Sequence, residues 1–232
     1  MKPYRPFAIL ALACLLPAWP APAADQLASR PAEEWIKTLD GPARVSAMRI
    51  SEVVAALRLQ YGLTVADIGA GTGLLTVPVA QAVGPTGRVY AVEIDKGFFP
   101  EILKRAKAAG VANVQVVLGQ FTDPALPVKD IDLALFHDVM HHVQARAEYV
   151  KALAAYLAPG GRVAVIDYEG GQGPHAQEPE LQVARAPLTA MMKNAGLVQV
   201  EEIKLFQDKY FLVFGRPRSA DWESPARAVQ TR

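Results

Sequence analysis

From residue 63 onward, short apolar runs alternate with longer segments of helical spacing. Five of the apolar runs are rich in β-branched side chains and carry apolar residues on both faces. They are Leu63–Ile68, Arg88–Ile94, Val114–Leu118, Ile131–Phe136 and Arg162–Asp167. Strands that are apolar on both faces are typical of parallel sheets covered by helices on both sides. The pattern therefore predicts a central sheet of parallel strands.

The segments between these runs have the length and spacing of helices. They are Leu74–Val83, Phe99–Ala109 and Ala145–Leu157. Regular alternation of strands and helices favours βαβ units and an α/β fold. The segment Leu157–Arg162, which contains Pro159 and two glycines, is expected to stop the third helix and turn into the fifth strand.

Further elements flank this alternating core. Apolar residues recur at helical spacing over Ser46–Leu59 and predict one helix ahead of the first strand. A helix at Ala186–Asn194 precedes two more β-rich runs, Leu197–Phe206 and Tyr210–Phe214. The connection Gln207–Lys209 is short enough only for an antiparallel pair. The sheet should therefore end in an antiparallel hairpin.

The first 23 residues have the layout of a secretory signal. Lys2 and Arg5 precede an apolar run at 7–16, and the Pro/Ala-rich sequence after it ends at Ala23. The run is shorter than the ~20 residues of a permanent transmembrane helix. We predict cleavage after Ala23 and an exported product, periplasmic or secreted, with no stable membrane span in the mature chain.

Cysteine usage and charge narrow the classes of function. Cys14 is the single cysteine and lies inside the apolar run, so its lipidation is the alternative to cleavage after Ala23. Loss of residues 1–23 removes two of the 24 basic side chains and none of the 23 acidic ones, which leaves 209 residues with a net charge of −1. A nearly neutral chain of this length is typical of one globular domain and carries no electrostatic footprint for nucleic acid.

The most informative segment joins the first predicted strand to the next helix. It reads Val65-Ala66-Asp67-Ile68-Gly69-Ala70-Gly71-Thr72-Gly73-Leu74. Alternating glycines permit a tight turn and close approach of a ligand to the backbone. Leu74 stands where a dinucleotide-binding Gly-x-Gly-x-x-Gly motif has its third glycine. A buried Asp67 carboxylate requires a partner, which the ammonium of S-adenosylmethionine would supply. The alternative is a structural turn capped by Asp67.

An acidic side chain ends the second predicted strand. Glu93 follows Gly73 by twenty positions, and an acid at about that separation is placed to accept both hydroxyls of a ribose. The alternative for Glu93 is an ordinary solvated acid. For Asp95, one pleat further along, solvation or helix capping is the expected role.

These features resemble the class I S-adenosylmethionine-dependent methyltransferases, and the resemblance covers nearly all of Val65–Phe214. It is closest to small bacterial proteins of this class, many of them exported. The resemblance implies a Rossmann-like, doubly wound α/β sheet of seven strands, mostly parallel with an antiparallel last strand, and S-adenosylmethionine as cofactor. The cofactor-binding residues that it implies are Asp67, Gly69, Gly71, Gly73 and Glu93.

On this basis the chain divides into four parts. We predict a signal peptide at 1–23, an N-terminal helical cap segment at 24–62, a methyltransferase domain at 63–216 and a C-terminal tail at 217–232. The loop after the third strand departs from the commonest family pattern, in which an acid would fall on Gln120 or Thr122. Asp123 is therefore the candidate for binding the adenine amino group.

Histidines follow the fourth predicted strand, at the edge where open α/β sheets bind ligands. In the family the segment Phe136–His142 often ends in His-His. The cofactor's sulfonium is already activated for in-line displacement, so a catalytic base is optional. Histidine can act as a base near neutral pH, and His137 and His141 are the candidates for catalysis. The alternative for His141 and His142 is packing or capping of the next helix.

The sequence also bears on metals and substrates. No cysteine remains in the mature chain and no His-x-x-x-His array with an added acid is present, so we expect no metal site.

The Asn/Asp-Pro-Pro-aromatic motif of related enzymes that methylate adenine or glutamine amino groups is absent here. We expect a small-molecule acceptor rather than nucleic acid, met by residues 30–49 and 168–180. Two alternatives stay open: a non-catalytic domain that binds S-adenosyl ligands, and an NAD(P)-dependent oxidoreductase.

Overall fold

A computed structural model describes residues 31–217, and a seven-stranded sheet forms its centre. The strands are β1 Thr64–Ile68, β2 Arg88–Glu93, β3 Val114–Leu118, β4 Ile131–His137, β5 Leu157–Tyr168, β6 Val198–Glu202 and β7 Lys209–Gly215. Their order across the sheet is β3-β2-β1-β4-β5-β7-β6. The order reverses between β1 and β4, which is the position where open α/β sheets place their ligands.

Strand direction follows the sequence prediction. The neighbours from β3 to β5 pair in parallel, and β7 pairs antiparallel with both β5 and β6. The hairpin between β6 and β7 is therefore confirmed, and β7 is the antiparallel strand of a doubly wound sheet. The seven-stranded α/β architecture expected from the family resemblance is confirmed.

Helices cover both faces of the sheet. They are α1 Ala32–Leu39, α2 Pro42–Ala47, α3 Ile50–Leu57, α4 Thr76–Val83, α5 Phe99–Ala108, α6 Arg146–Ala154 and α7 Arg185–Asn194. The face that carries Phe136 packs against α6 and α7, and the ring of Tyr149 meets that of Phe136 edge-on at 6.1 Å. The face that carries Leu135 packs against α3 and α4. Each fully buried aliphatic or aromatic side chain contributes about 1.5–3 kcal/mol, so both layers stabilise the sheet.

Two local predictions are wrong. The single helix expected over Ser46–Leu59 is split into α2 and α3, because Arg49 between them adopts a left-handed conformation with φ of 48°. The turn expected over Leu157–Arg162 is instead the irregular first part of β5, which pairs with β4 across a register shift. Gly161 explains why β5 begins early, since a Cβ at this residue would lie 2.5 Å from the carbonyl oxygen of Ile131 in β4. Only a residue without a side chain lets the two backbones approach in this way.

Parts of the predicted domain organisation fall beyond this description. The signal peptide at 1–23 with Cys14, and all but the first residue of the tail at 217–232, lie outside the described residues. Helices α1 to α3 form the part of the N-terminal cap segment that is described. Between residues 31 and 217 there is no helix that combines the length and the apolar character needed to cross a bilayer.

Candidate functional site

The glycine loop connects β1 to α4 at the carboxyl edge of the sheet. Gly69, Gly71 and Gly73 all have positive φ, of 68°, 54° and 82°. The amides of Gly69 and Ala70 both donate to the carbonyl oxygen of Val92 at the end of β2. A Cβ at Gly69 would lie 2.2 Å from Cγ2 of Val139, so this glycine is required by packing as well as by its backbone conformation.

Gly71 differs from its two neighbours in what surrounds it. Among the described residues, a Cβ added there would meet a single atom within 4 Å, Cδ1 of Leu39 at 3.4 Å. Leu39 belongs to α1, whose apolar side chains pack, as Ala70 does, against the buried cluster of Ala91, Phe98 and Ile102. The open side of Gly71 therefore faces a space that is bounded by a flexible side chain of α1 rather than by backbone.

Asp67 lies buried near the end of β1. Its Oδ2 accepts a hydrogen bond of 2.6 Å from the hydroxyl of Thr76 in α4. Burial raises the pKa of Asp67 to about 6, and the Thr76 hydrogen bond acts in the opposite direction. Thr76 was not singled out in the sequence, where nothing distinguishes it from other polar residues at a helix start. Burial therefore disfavours the ionised form of this carboxylate, and a positive group bound next to it would favour that form.

Glu93 joins the tip of β2 to the glycine loop. Its Oε1 accepts a hydrogen bond from the Gly71 amide and its Oε2 accepts one from the Ile94 amide, both at 2.9 Å. The side chain is only 9% exposed, so the alternative of an ordinary solvated acid is wrong. Burial raises the pKa of Glu93, while the backbone hydrogen bonds lower it. By contrast, Asp95 caps the next turn by accepting from the Gly97 amide at 2.8 Å, one of the two roles expected for it.

An apolar surface lies beside Glu93 at the carboxyl ends of β2 and β3. Three large apolar side chains are exposed there: Ile94 at 41%, Leu118 at 42% and Phe121 at 56%. The Gly119 amide donates to the carbonyl oxygen of Glu93 at 2.9 Å and holds this loop against β2. Exposed apolar side chains next to the acid that is predicted to bind ribose are suited to contact a flat purine ring.

Asp123 is part of the same loop but its carboxylate is engaged elsewhere. Its Oδ1 accepts hydrogen bonds from the Ala125 amide at 2.7 Å and from the Tyr156 hydroxyl at 2.9 Å. Ala125 has a φ of 52°, and the Asp123 side chain stabilises that turn. The assignment of Asp123 to the adenine amino group stays a prediction, and these contacts favour a structural role for the Oδ1 atom.

A polar network fixes the N-terminal helices to the glycine loop. Asp40 accepts from the Thr72 hydroxyl and from a guanidinium N–H of Arg105, each at 2.6 Å. The Nε of Arg105 donates to the carbonyl oxygen of Thr72 at 3.0 Å. The three residues come from the cap segment, the loop and α5, so no sequence spacing could have revealed the network. It holds α1 against the candidate cofactor site.

His137 ends β4 and is the more unusual of the two candidate bases. Its ring is buried, and among the described residues neither ring nitrogen has a hydrogen-bond partner. Burial lowers the pKa of His137 to about 4, so the ring is neutral near pH 7. Buried polar groups in native proteins are generally hydrogen-bonded. An unsatisfied imidazole at this edge of the sheet is therefore suited to contact a ligand.

A buried ion pair that was not predicted lies next to His137. The Nζ of Lys209, at the start of β7, donates to Oδ2 of Asp138 at 2.7 Å, and both side chains are less than a tenth exposed. Asp138 has a φ of 57°, and its second oxygen is buried without a partner within 31–217. The Lys209 ammonium also lies 4.4 Å from the centroid of the Tyr168 ring. The two charged residues are 71 positions apart, so local spacing along the chain could not have indicated the pair.

His141 is built into a different arrangement. Its Nδ1 lies 2.7 Å from Oδ1 of Asp167, and its backbone amide donates to Oδ2 of the same carboxylate at 3.1 Å. Its ring packs against those of His142 and His175 rather than against His137. The fold thus separates the two candidate bases: within 31–217 the ring nitrogens of His137 have no partner, whereas one nitrogen of His141 is already paired.

A concavity of about 860 Å³ lies at the amino-terminal ends of β2 and β3, opposite the carboxyl edge of the sheet. It is bounded by parts of the segments 80–88 and 110–115, and Arg88 is the one ionisable residue among the described residues that line it. Open α/β sheets bind ligands beyond the carboxyl ends of their strands. The glycine loop, Glu93 and His137 all lie at that carboxyl edge, so we place the candidate site there.

Known proteins resemble this chain in sequence and in fold. Residues 65–161 match the family model described as "Methyltransferase domain". Over 106 residues the chain is 33% identical to aklanonic acid methyltransferase from Streptomyces sp. (strain C5), covering 44% of this chain and 47% of that protein. The chain spans about half the length of the curated relatives it matches.

Solved structures share the fold. A SAM-dependent methyltransferase from Aquifex aeolicus superposes with a TM-score of 0.71 at 21% identity, covering 78% of this chain and 97% of that one. The 1,6-didemethyltoxoflavin-N1-methyltransferase of Burkholderia thailandensis, solved with S-adenosylhomocysteine, superposes with a TM-score of 0.62 at 22% identity, covering 86% and 93%. At these identities the likeness establishes a common architecture.

Proposed function

Because residues 65–161 belong to the class I S-adenosylmethionine-dependent methyltransferases, we propose that the protein transfers a methyl group from this cofactor to a small-molecule acceptor. The observation that carries the proposal is the pairing of Glu93 with Gly71. One carboxylate oxygen accepts from the Gly71 amide in the glycine loop that follows β1, and the other accepts from the Ile94 amide after β2. The acid is therefore held where β1 and β2 end. An ionised carboxylate has about four lone-pair positions, and the remaining ones are available to ribose hydroxyls.

The residues around Glu93 fit the rest of the cofactor. Exposed Ile94, Leu118 and Phe121 offer apolar surface to adenine, and Gly71 leaves room for the ligand near the backbone. The buried Asp67 carboxylate would gain from a positive charge brought close to it. When bound, the cofactor supplies an electrophilic methyl group on its sulfonium, and the protein's task is to place the acceptor in line with it.

The acceptor side of the site is assigned to the end of β4. His137 offers a neutral imidazole whose two nitrogens have no partner in the described part of the chain, and the Asp138–Lys209 pair places charge beside it. We assign His137 to hydrogen bonding with the acceptor, and to taking its proton where the acceptor is a hydroxyl or an amine. Curated relatives of this chain are methyltransferases of aklanonic acid and demethylmenaquinone, which supports a small molecule as acceptor.

Ligand titration tests the cofactor assignment. Calorimetry of the purified full-length chain should give saturable binding of S-adenosylhomocysteine and S-adenosylmethionine and no binding of NAD, because Leu74 replaces the third glycine of a dinucleotide motif. Tight NAD binding without binding of either adenosyl ligand would indicate an oxidoreductase instead. Binding without turnover across a panel of phenolic, quinone-like and amine acceptors would favour the non-catalytic alternative.

We also propose that the protein is exported. The proposal rests on the charged start, the apolar run at 7–16 and the Pro/Ala-rich sequence that ends at Ala23. N-terminal sequencing of protein from the periplasmic or secreted fraction should begin near Ala24. An intact Met1 on protein found only in the cytoplasmic fraction would contradict export, and a lipid-modified N-terminal Cys14 would identify a lipoprotein.

A further inference from the structure

Three of the four histidines in the chain converge at one place. His141 and His142 follow β4, and His175 lies in the long connection between β5 and α7. One ring nitrogen from each lies within 4.8 Å of one from each of the other two. The ring centroids are 4.1, 5.2 and 5.1 Å apart. Imidazoles that share one tetrahedral ion at ~2.0–2.1 Å have centroids ~5 Å apart, so small side-chain rotations would bring the three rings onto one ion.

Carboxylates orient two of these rings. Nδ1 of His141 lies 2.7 Å from Oδ1 of Asp167, and Nδ1 of His175 lies 2.8 Å from Oε1 of Glu178. Ligating histidines in metal sites characteristically donate their other N–H to a carboxylate, which fixes the tautomer and leaves Nε2 for the ion. Both rings therefore have the tautomer and the partner that ligation requires.

The backbone around the cluster is also held in place. Arg146 donates to the carbonyl oxygens of His141 at 2.7 Å and of Glu180 at 3.0 Å, which joins the two segments that carry the histidines. A side-chain amide N–H of Gln182 donates to the carbonyl oxygen of His175. A cavity of about 10 Å³, lined by His141, Asp167 and His175 among others, lies against the cluster. The arrangement is thus largely formed before any ion binds.

We propose that His141, His142 and His175 bind a divalent transition-metal ion such as Zn²⁺. Neutral imidazole is a preferred ligand for this class of ion. Three protein ligands leave a fourth position open for water or another ligand atom. The sequence argued against a metal because it contains no His-x-x-x-His array, but the fold forms the site from segments 33 residues apart.

The site is independent of the cofactor proposal and can be tested separately. The full-length chain carrying Cys14→Ser, purified without a histidine tag and stripped with a chelator, should bind one Zn²⁺ per chain by calorimetry. In ¹⁵N-edited spectra of the histidine rings, zinc should shift the resonances of three rings and leave that of His137 unchanged. Its Co²⁺ form should show the intense visible absorption of a four-coordinate ion.

Single variants identify the ligands. His142→Gln and His175→Gln should each lower the zinc affinity at least ~100-fold, and Asp167→Asn should lower it ~10-fold to ~100-fold by releasing the orientation of His141. His137→Gln, at the one remaining histidine, is the matched control and should bind zinc as the parent does. Absence of saturable binding at one ion per chain, or a uniform shift of all four rings, would overturn the proposal. Titration with S-adenosylhomocysteine in the absence of metal reports the cofactor site alone, so failure of one proposal does not imply failure of the other.

Discussion

Replacement of Glu93 by glutamine is expected to lower the affinity for S-adenosylhomocysteine about tenfold or more. Hydrogen bonds to a charged acceptor contribute about 1.5–3 kcal/mol, and about 1.4 kcal/mol corresponds to tenfold in affinity. Glutamine keeps the size of the side chain but loses the charge and one of the two oxygens that now accept from Gly71 and Ile94. Calorimetric titration of the purified variant measures the effect.

The control for this variant is Asp95→Asn, two residues along the chain. Asparagine retains an oxygen that can accept from the Gly97 amide, so the turn and the affinity should both be preserved. Because Glu93 also holds the glycine loop, thermal unfolding of the ligand-free Glu93→Gln variant must be recorded alongside. Equal, small losses of affinity in both variants would show that neither acid binds the ribose.

Replacement of Asp67 by asparagine is expected to stabilise the ligand-free protein above pH 6. Burial raises the pKa of Asp67 from 3.8 to about 6, so the folded state binds a proton more tightly than the unfolded state. The ionised carboxylate therefore destabilises the fold, fully above pH 6 and not at all below pH 3.8. At about 1.4 kcal/mol per pKa unit, the variant should gain about 2–3 kcal/mol in free energy of unfolding. Chemical denaturation at pH 7.5 measures the gain.

The pH dependence distinguishes this cause from a change in packing. The difference in free energy of unfolding between the Asp67→Asn variant and the parent should shrink as the pH falls from 6 and vanish near pH 4. Asp95→Asn, which removes an acid from an exposed turn, should leave the free energy of unfolding unchanged. A pH-independent difference would mean that the charge of Asp67 is not the cause. If Asp67 serves the ligand's ammonium, the gain in stability will be accompanied by weaker binding of S-adenosylhomocysteine.

Much of the fold followed from local patterns. Runs that are apolar on both faces marked the five strands from β1 to β5, and the three-residue connection at Gln207–Lys209 marked the antiparallel hairpin. The errors arose where long-range contacts decided the backbone. Arg49 interrupts a continuous helical pattern with a left-handed residue, and Gly161 extends β5 because it lies against the backbone of β4. Neither effect has a signature in the sequence nearby.

The residues of the candidate site likewise fall into those that local spacing identified and those that it missed. The glycine loop and Glu93 were identified because their spacing along the chain reflects one βαβ unit. Arg105, Lys209 and His175 were missed, since each meets its partner only after distant segments are brought together by the sheet. Thr76, nine residues from Asp67, was missed because nothing distinguishes it from other polar residues at a helix start. Motifs confined to one βαβ unit are readable from sequence, whereas sites assembled across several strands require the fold.

The position of α1 connects the described part of the cap segment to the glycine loop. Trp35, Ile36 and Leu39 pack, as Ala70 does, against the buried cluster of Ala91, Phe98 and Ile102. Asp40 binds Thr72 and Arg105. Trp35 follows the predicted cleavage point by only twelve residues. If cleavage occurs there, α1, which lies beside the glycine loop, is close to the start of the mature chain.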